Sequence, residues 1–280
     1  MKTFGGIPTE YASFENAKII LQSIPYDGTS TWGKGADKGF EAFLDAAENM
    51  ELYDIETDFE VYQEGVYMPQ EWEGFNSPEE MYEQVYANTK ALLNTEKFLT
   101  FFGGEHSVSI GVIKAFYEKY QNLTVLQLDA HADLRPSYEG TAYNHACAVY
   151  DASKNTNLIQ VGIRSMDISE KQHMNYDKVI FADEIKINDA WMDKSMEWMT
   201  DDVYITLDLD VLDPSIMPAT GTPEPNGMTW FEIMTYLKKV FATKNVVGFD
   251  IVELAPIEGL HAPQYLTAKL FYKMLSYKFK

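Results

Sequence analysis

The chain has 280 residues, 46% of them hydrophobic and 23% charged, with a formal net charge of -21. The acidic balance excludes nucleic acid as a partner, because phosphate binding needs a basic surface; no uninterrupted apolar run is long enough to span a bilayer, and Met1–Gly6 lacks the apolar core of a secretory leader. The lone cysteine, Cys147, excludes an intrachain disulfide and points to a reducing compartment, so a cytoplasmic location is expected.

In chain order, Ala17–Ile24 (AKIILQSI) reads as a buried strand. The loop after it, Gly28–Gly35 (GTSTWGKG), falls one residue short of a phosphate-cradling G-x-x-x-x-G-K-[ST]. Gly35 offers no hydroxyl to a metal, so the loop is read as a flexible segment overhanging the active site rather than a nucleotide site. Glu51–Glu83 is rich in Glu, Asp and Tyr and is expected to be a solvated surface. Lys97–Phe102 is a strand that stops at Gly103-Gly104, and Ser107–Tyr120 carries helical spacing of Val108, Ile110, Val112, Ile113, Phe116 and Tyr117. Strands follow at Leu123–Leu128, Leu158–Ile163, Lys178–Phe181, Val203–Leu209 and Asn245–Ile251, and helices at Trp230–Ala242 and His261–Lys278. No repeat or Pro/Gly-rich linker divides the chain, so residues 1–280 are expected to form one domain.

Strands that alternate with helices, and that are apolar along their whole length, imply an α/β fold with a mostly parallel sheet covered on both faces. Such sheets bind ligands at the carboxyl ends of their strands, where the polar clusters of this sequence lie. GGEHS (103–107) follows one strand, DAHAD (129–133) ends another, DLD (208–210) a third, and GFDIVE (248–253) runs to Glu253 at the end of a fourth.

Asp129, His131 and Asp133 alternate with alanines, which in an extended segment sends all three to one side. Asp208 and Asp210 are expected to do the same around Leu209, and His106 follows a glycine pair where the chain can turn. Each fragment alone has an ordinary explanation, such as a helix cap or a hydrogen-bonded core histidine. Together with Asp250, however, they put five aspartates at buried strand ends, a charge that needs compensation. Metal ions provide it. Six ligands, His106, Asp129, His131, Asp133, Asp208 and Asp210, four of them carboxylates able to bridge, suit two cations. Oxygen-rich ligation favours a hard divalent ion such as manganese over zinc. A pair of such ions lowers the pKa of a shared water and prepares hydrolysis at carbon or phosphorus. The N-H-[DE] signature of common metallophosphatases is absent, since Ala146 follows Asn144-His145.

These motifs, with the IPYDGTSTWGKGADKG loop, NHACAV, QVGIRS, ITLDLDVLDPSIMPATGTPEPNG and GFDIVELAP, resemble in order those of the ureohydrolases, the family of arginase and agmatinase. The resemblance implies a three-layer α/β/α fold around a parallel sheet of about eight strands, two Mn2+ ions, and hydrolysis of a guanidinium group to urea and an amine. It makes Asp129 and Asp208 bridging ligands, sets His106 with Asp133 on one ion and His131 with Asp210 on the other, gives His145 a proton-shuttle role and lets Glu253 grip the guanidinium. It further implies a homotrimer or homohexamer, and it casts Arg164 as structural.

The sequence departs from the family at Glu105 (GGEH for GGDH), at Ala146 after His145, and at Asn226. Leu134–Gly140 does not match the arginase pattern for an amino-acid head, so agmatine, giving putrescine for polyamine biosynthesis, is the expected substrate. Glu139 or Glu224 would attract its amine. Aminopropylagmatine is the next candidate. Arginine, guanidinobutyrate and formiminoglutamate rank lower, because their carboxylate would need a partner such as Arg135. The remaining alternatives are a metal-binding relative without activity and a binuclear phosphoesterase.

Overall fold

Eight strands pair side by side, all parallel, in a single sheet of order β2-β1-β3-β8-β7-β4-β5-β6. They are β1 (Ile19–Ile24), β2 (Val66–Tyr67), β3 (Phe98–Gly103), β4 (Thr124–Leu128), β5 (Asn157–Ile163), β6 (Val179–Phe181), β7 (Asp202–Asp208) and β8 (Asn245–Val252). The computed structural model describes residues 2–280, so Met1, which opens the stretch tested above for a leader, lies outside it.

Helices cover both faces, as continuous apolar strands require. One face packs against α1 (Gly39–Ala47), α6 (Ala190–Trp198), α7 (Trp230–Thr243) and α8 (Ala262–Phe279). The other meets α2 (Pro78–Leu93), α3 (Val108–Lys119) and α4 (Tyr150–Asn155), while the four-residue α5 (Ala182–Ile185) follows β6. In β4, Leu126 and Leu128 join the first core and Val125 the second, as the two-residue period of a strand dictates. Aromatic side chains knit the α1–α8 face, with Phe43 stacked on Phe102 at a centroid distance of 4.5 Å and set edge-on to Phe271 at 5.3 Å. Burying each such ring contributes roughly 2–3 kcal/mol. Helix α7 begins at Trp230, as the sequence predicts, because Thr229 and Glu232 form a reciprocal capping box with bonds of 3.3 and 2.7 Å. Among the described residues no helix is long and apolar enough to cross a membrane.

One reading of the sequence is corrected. The acidic stretch Glu51–Glu83 is not simply a solvated surface. It contains β2 at the sheet edge, the start of α2, and buried Asp54, Val61, Val66 and Met81. Most of its polar residues face water between these buried anchors, and a two-residue strand leaves too short a pattern to detect. Helix α1 likewise escaped notice, because its apolar residues adjoin a glycine-rich loop.

Candidate metal centre

The four strands that end in polar clusters are β3, β8, β7 and β4, which are consecutive neighbours in the sheet. Their carboxyl ends therefore open onto one place. Beyond β3, Gly104 passes so close to the segment after β1 that an added Cβ would lie 1.9 Å from the Tyr26 carbonyl oxygen. Only glycine allows that approach, and it turns His106 inward. Beyond β4 the chain bends at Ala130, where the His131 N–H donates to Asp129 Oδ1 at 2.6 Å, and Asp133 sits in the left-handed region at φ 50°. The expected extended alternation from Asp129 to Asp133 is therefore replaced by turns that still bring the three side chains together. The pair Asp208 and Asp210 also departs from extended geometry. Asp208 caps a single 3-10 turn, Leu209–Val211, and its Oδ1 accepts the Asp210 N–H at 2.9 Å. Glu253, just past β8, has φ 69°, and its Oε1 accepts the His106 backbone N–H at 2.9 Å.

All six proposed ligands converge. Nδ1 of His106 lies 3.1 Å from an oxygen of Asp129, 3.1 Å from Asp133 and 3.4 Å from Asp208. Nδ1 of His131 lies 2.8 Å from Asp210 and 3.7 Å from Asp129. Among the described residues two groups could hold a cation, His106–Asp129–Asp208 and Asp129–His131–Asp210; they share Asp129 but not Asp208, which was also expected to bridge, and Asp133 meets His106 Nδ1 without completing either group.

The state of His106 tests whether this donor set fits a cation. Its Nε2 meets the Thr206 hydroxyl at 2.9 Å, and that hydroxyl donates its own proton to Asp250 Oδ1 at 2.7 Å. Nε2 must therefore be the donor, and a neutral ring then carries a lone pair on Nδ1. That nitrogen is buried, has no hydrogen-bond partner, and faces three carboxylates. Burial opposes a charge on this ring, but Asp129, Asp133 and Asp208 raise its pKa well above the usual value, so the position calls for a positive charge that a proton on Nδ1 supplies here and a divalent ion would replace. Nitrogen and carboxylate donors at two adjoining positions suit two hard or borderline cations.

The titration of these groups expresses the same need for positive charge. Burial lifts Asp129 to about 7, helped by Asp210 and Asp133. Burial also pushes Asp208 well above the carboxylate range, reinforced by Asp210 and Asp129. Burial opposes a charge on His131, but Asp210, Asp129 and Asp133 outweigh it and push the ring up to about 11. For Asp210 burial is overcome by His131, which brings the carboxyl down to about 2.

A cavity opens above these ligands. Its walls include Thr31, Arg135, Tyr138, His145, Met166, Glu170 and Glu253. Burial holds the His145 ring below its usual pKa. The loop after β1 does overhang the site: Thr31 lines it, and Gly33 N donates to Gly221 O at 3.2 Å. Glu139, by contrast, sits on an exposed turn at φ 49° and does not line the cavity. Glu224 comes to 3.8 Å from His131 Nε2. Arg164 donates to the backbone carbonyls of Asp210 (2.6 Å) and Glu224 (2.9 Å), which ties down the 210–224 loop and fits the expected structural role. Asn226 takes the left-handed conformation at φ 67°, which asparagine tolerates better than most residues.

Sequence reasoning missed four side chains around the ligands. Gln127 Nε2 donates to Asp129 Oδ2 at 2.7 Å, and Gln160 supports Gln127 at 2.7 Å. Thr206 orients His106, and Thr29 meets His145. Three of them are polar residues inside otherwise apolar strands, and that interruption is the signal the sequence carries for them.

Comparison with known proteins gives a consistent picture. Residues 17–276 match the model of the Arginase family. The N(1)-aminopropylagmatine ureohydrolase of Synechocystis sp. is 32% identical over 282 aligned residues, which cover 95% of this chain and 90% of the relative. The agmatinase of Bacillus cereus is 30% identical over 257 residues, 88% of this chain and 87% of the relative. Among solved structures, the agmatine ureohydrolase of Thermoplasma volcanium superposes with a TM-score of 0.89 at 28% identity, covering 99% of this chain and 94% of the other.

Proposed function

The chain belongs to the arginase family of binuclear metal ureohydrolases, which cleave amidino C–N bonds, and from that premise we propose that its substrate is agmatine or the N1-aminopropyl derivative of agmatine, hydrolysed to urea and a polyamine with manganese as the metal. The observation that carries the substrate class is the charge of the cavity. Outside the proposed metal ligands, Asp167, Glu170 and Glu253 line it, with Arg135 the one lysine or arginine among the lining residues. Arg135 lies 4.2 Å over the Tyr138 ring and 3.9 Å from Glu170, which offset its charge, although its buried Nε has no hydrogen-bond partner. A linear guanidine with a distal amine suits such a wall, whereas a substrate carboxylate would be repelled.

His106, Asp129, His131, Asp133, Asp208 and Asp210 would hold the metal pair. Bound there, two divalent ions supply a water of lowered pKa and stabilise the charge that develops at the guanidinium carbon. Glu253 accepts the His106 N–H with Oε1, which leaves Oε2 to receive the planar fork of guanidinium N–H groups. His145, held neutral by its surroundings, takes up a proton and returns it to the departing amine, with Asp133 nearby on the same wall. Water adds to the guanidinium carbon, the C–N bond to the alkyl amine breaks, and urea and the polyamine leave.

The sequence alone put agmatine first. The names of similar proteins move the preference towards the aminopropyl derivative, which several full-length relatives act on. The test is urea release with manganese from agmatine, N1-aminopropylagmatine, arginine and 4-guanidinobutyrate. We expect kcat/KM for the first two to exceed that for the last two by at least about 100-fold, as an uncompensated buried charge costs roughly 3–5 kcal/mol. Comparable rates with arginine would overturn the substrate class.

A further inference from the structure

Thr29, in the loop after β1, has a hydroxyl with three polar neighbours. It donates to Glu105 Oε1 at 3.0 Å, accepts the His145 backbone N–H at 3.0 Å, and lies 3.1 Å from His145 Nδ1. A hydroxyl has one hydrogen and two acceptor lone pairs. Glu105 also accepts from the Ser107 hydroxyl at 2.7 Å and the Ser107 N–H at 2.8 Å, so its carboxylate is met only by donors. With Glu105 ionised, as at the pH 9 of the measurement below, the hydrogen of Thr29 belongs on that carboxylate, because a charge-assisted bond is about twice as strong as a neutral one. One lone pair of Thr29 takes the backbone N–H of His145, and the other is left for Nδ1.

We propose that Glu105, through Thr29, is a positioning residue that fixes His145 in its Nδ1–H form, so that Nε2 offers a lone pair to the cavity. The proposal rests on the His145 role given above, and it assigns the direction in which the shuttle runs: Nε2 first accepts a proton and then gives it to the leaving amine. It also gives the departure at Glu105 a reason. Glu105 and Thr29 are both buried, and a side chain one methylene shorter than glutamate would withdraw from the Thr29 hydroxyl.

The decisive variant is Glu105→Gln, which keeps the shape. The amide oxygen takes the Ser107 N–H, and the NH2 group then donates to Thr29. With the His145 backbone N–H on its second lone pair, Thr29 must turn its hydrogen onto Nδ1. The ring switches to Nε2–H and can no longer accept a proton there. Long-range proton–nitrogen correlation spectra of 15N-histidine protein report this directly, recorded at pH 9 with diamagnetic zinc in the metal site. The protein has five histidines, and His145 is identified by the signals lost in His145→Gln. We expect Nδ1–H in the unaltered chain and in Thr29→Ser, Nε2–H in Glu105→Gln, and a mixture in Thr29→Val. With manganese, kcat for Glu105→Gln and Thr29→Val should fall about 10- to 100-fold while KM changes less than about threefold, and Thr29→Ser should stay within about threefold. An Nε2–H ring in the unaltered chain, or an unchanged ring and kcat in Glu105→Gln, overturns the proposal. The spectra are independent of turnover, so a chain that releases no urea from any guanidine but shows the tautomer switch would refute the proposed substrate and leave the relay standing.

Discussion

Replacing Thr206 by valine removes one hydroxyl and almost no volume, and its effect on metal affinity can be worked out from the structure. In the metal-bound state His106 must present a lone pair at Nδ1, so its proton sits on Nε2, where Thr206 accepts it at 2.9 Å. In Thr206→Val that N–H is buried without a partner, which costs roughly 1–3 kcal/mol. The metal-free protein escapes the cost, because its ring can carry the proton on Nδ1 among Asp129, Asp133 and Asp208. The loss of the Thr206 donor to Asp250 burdens both states equally and cancels. The penalty therefore falls on binding alone, and at 1.4 kcal/mol per decade it amounts to roughly 5- to 150-fold in manganese affinity. Calorimetric titration of the stripped protein with Mn2+ measures it, and Thr206→Ser should restore the affinity. An affinity for Thr206→Val within twofold of the unaltered chain would refute the tautomer assignment.

Other perturbations follow from the same structure. Glu253→Gln keeps the bond to the His106 N–H but removes the charge facing the guanidinium; kcat/KM for urea release should fall about 10- to 150-fold, as expected for losing a charge-assisted pair, with little change in thermal midpoint. Gly104→Ala forces a methyl group against the Tyr26 carbonyl. Overpacking against backbone costs about 3 kcal/mol, which should lower the melting temperature by about 6–12 °C, and an unchanged midpoint would contradict the close approach. Glu56 offers a pH test. Burial would raise its pKa, but Lys238, Lys273 and Tyr277 prevail and lower it from 4.5 to about 2. A depressed carboxyl pKa adds stability that is full above pH 4.5 and is lost as pH falls towards 2. The side chain is 40% exposed, so screening limits the gain to about 1 kcal/mol. Glu56→Gln should therefore lower the urea midpoint at pH 7, with a smaller difference at pH 3; an equal difference at both would sink the argument.

The candidate metal ligands were legible in the sequence because their chemistry is costly to bury. One acid at the end of an apolar strand can be a cap, but several together, Asp129 and Asp208 among them, call for a compensating charge, and a parallel sheet brings its strand ends to one edge. Backbone detail was not legible. Asp133 and Glu253 reach the site through left-handed residues, and Asp210 through a capped 3-10 turn, where no apolar period operates. Single polar residues in strands, Gln127 and Thr206, announce themselves only once the neighbouring ligands are placed. Glu139 shows the opposite failure: its charge and its position after the ligand run pointed to the substrate, but its turn faces solvent. Loop acids carry no periodic signal that fixes which way they point.

The central claim, a pair of metal ions bridged by Asp129, is tested most directly by metal analysis of the purified chain alongside Asp129→Asn. Elemental analysis after manganese loading should find two ions per chain in the unaltered protein, with urea release lost on chelation and regained on adding Mn2+. Asp129→Asn should hold fewer than one ion and turn over at least about 1000-fold more slowly, since it removes the carboxylate common to both groups. One ion per chain in the unaltered protein, or full activity after chelation, would contradict the account.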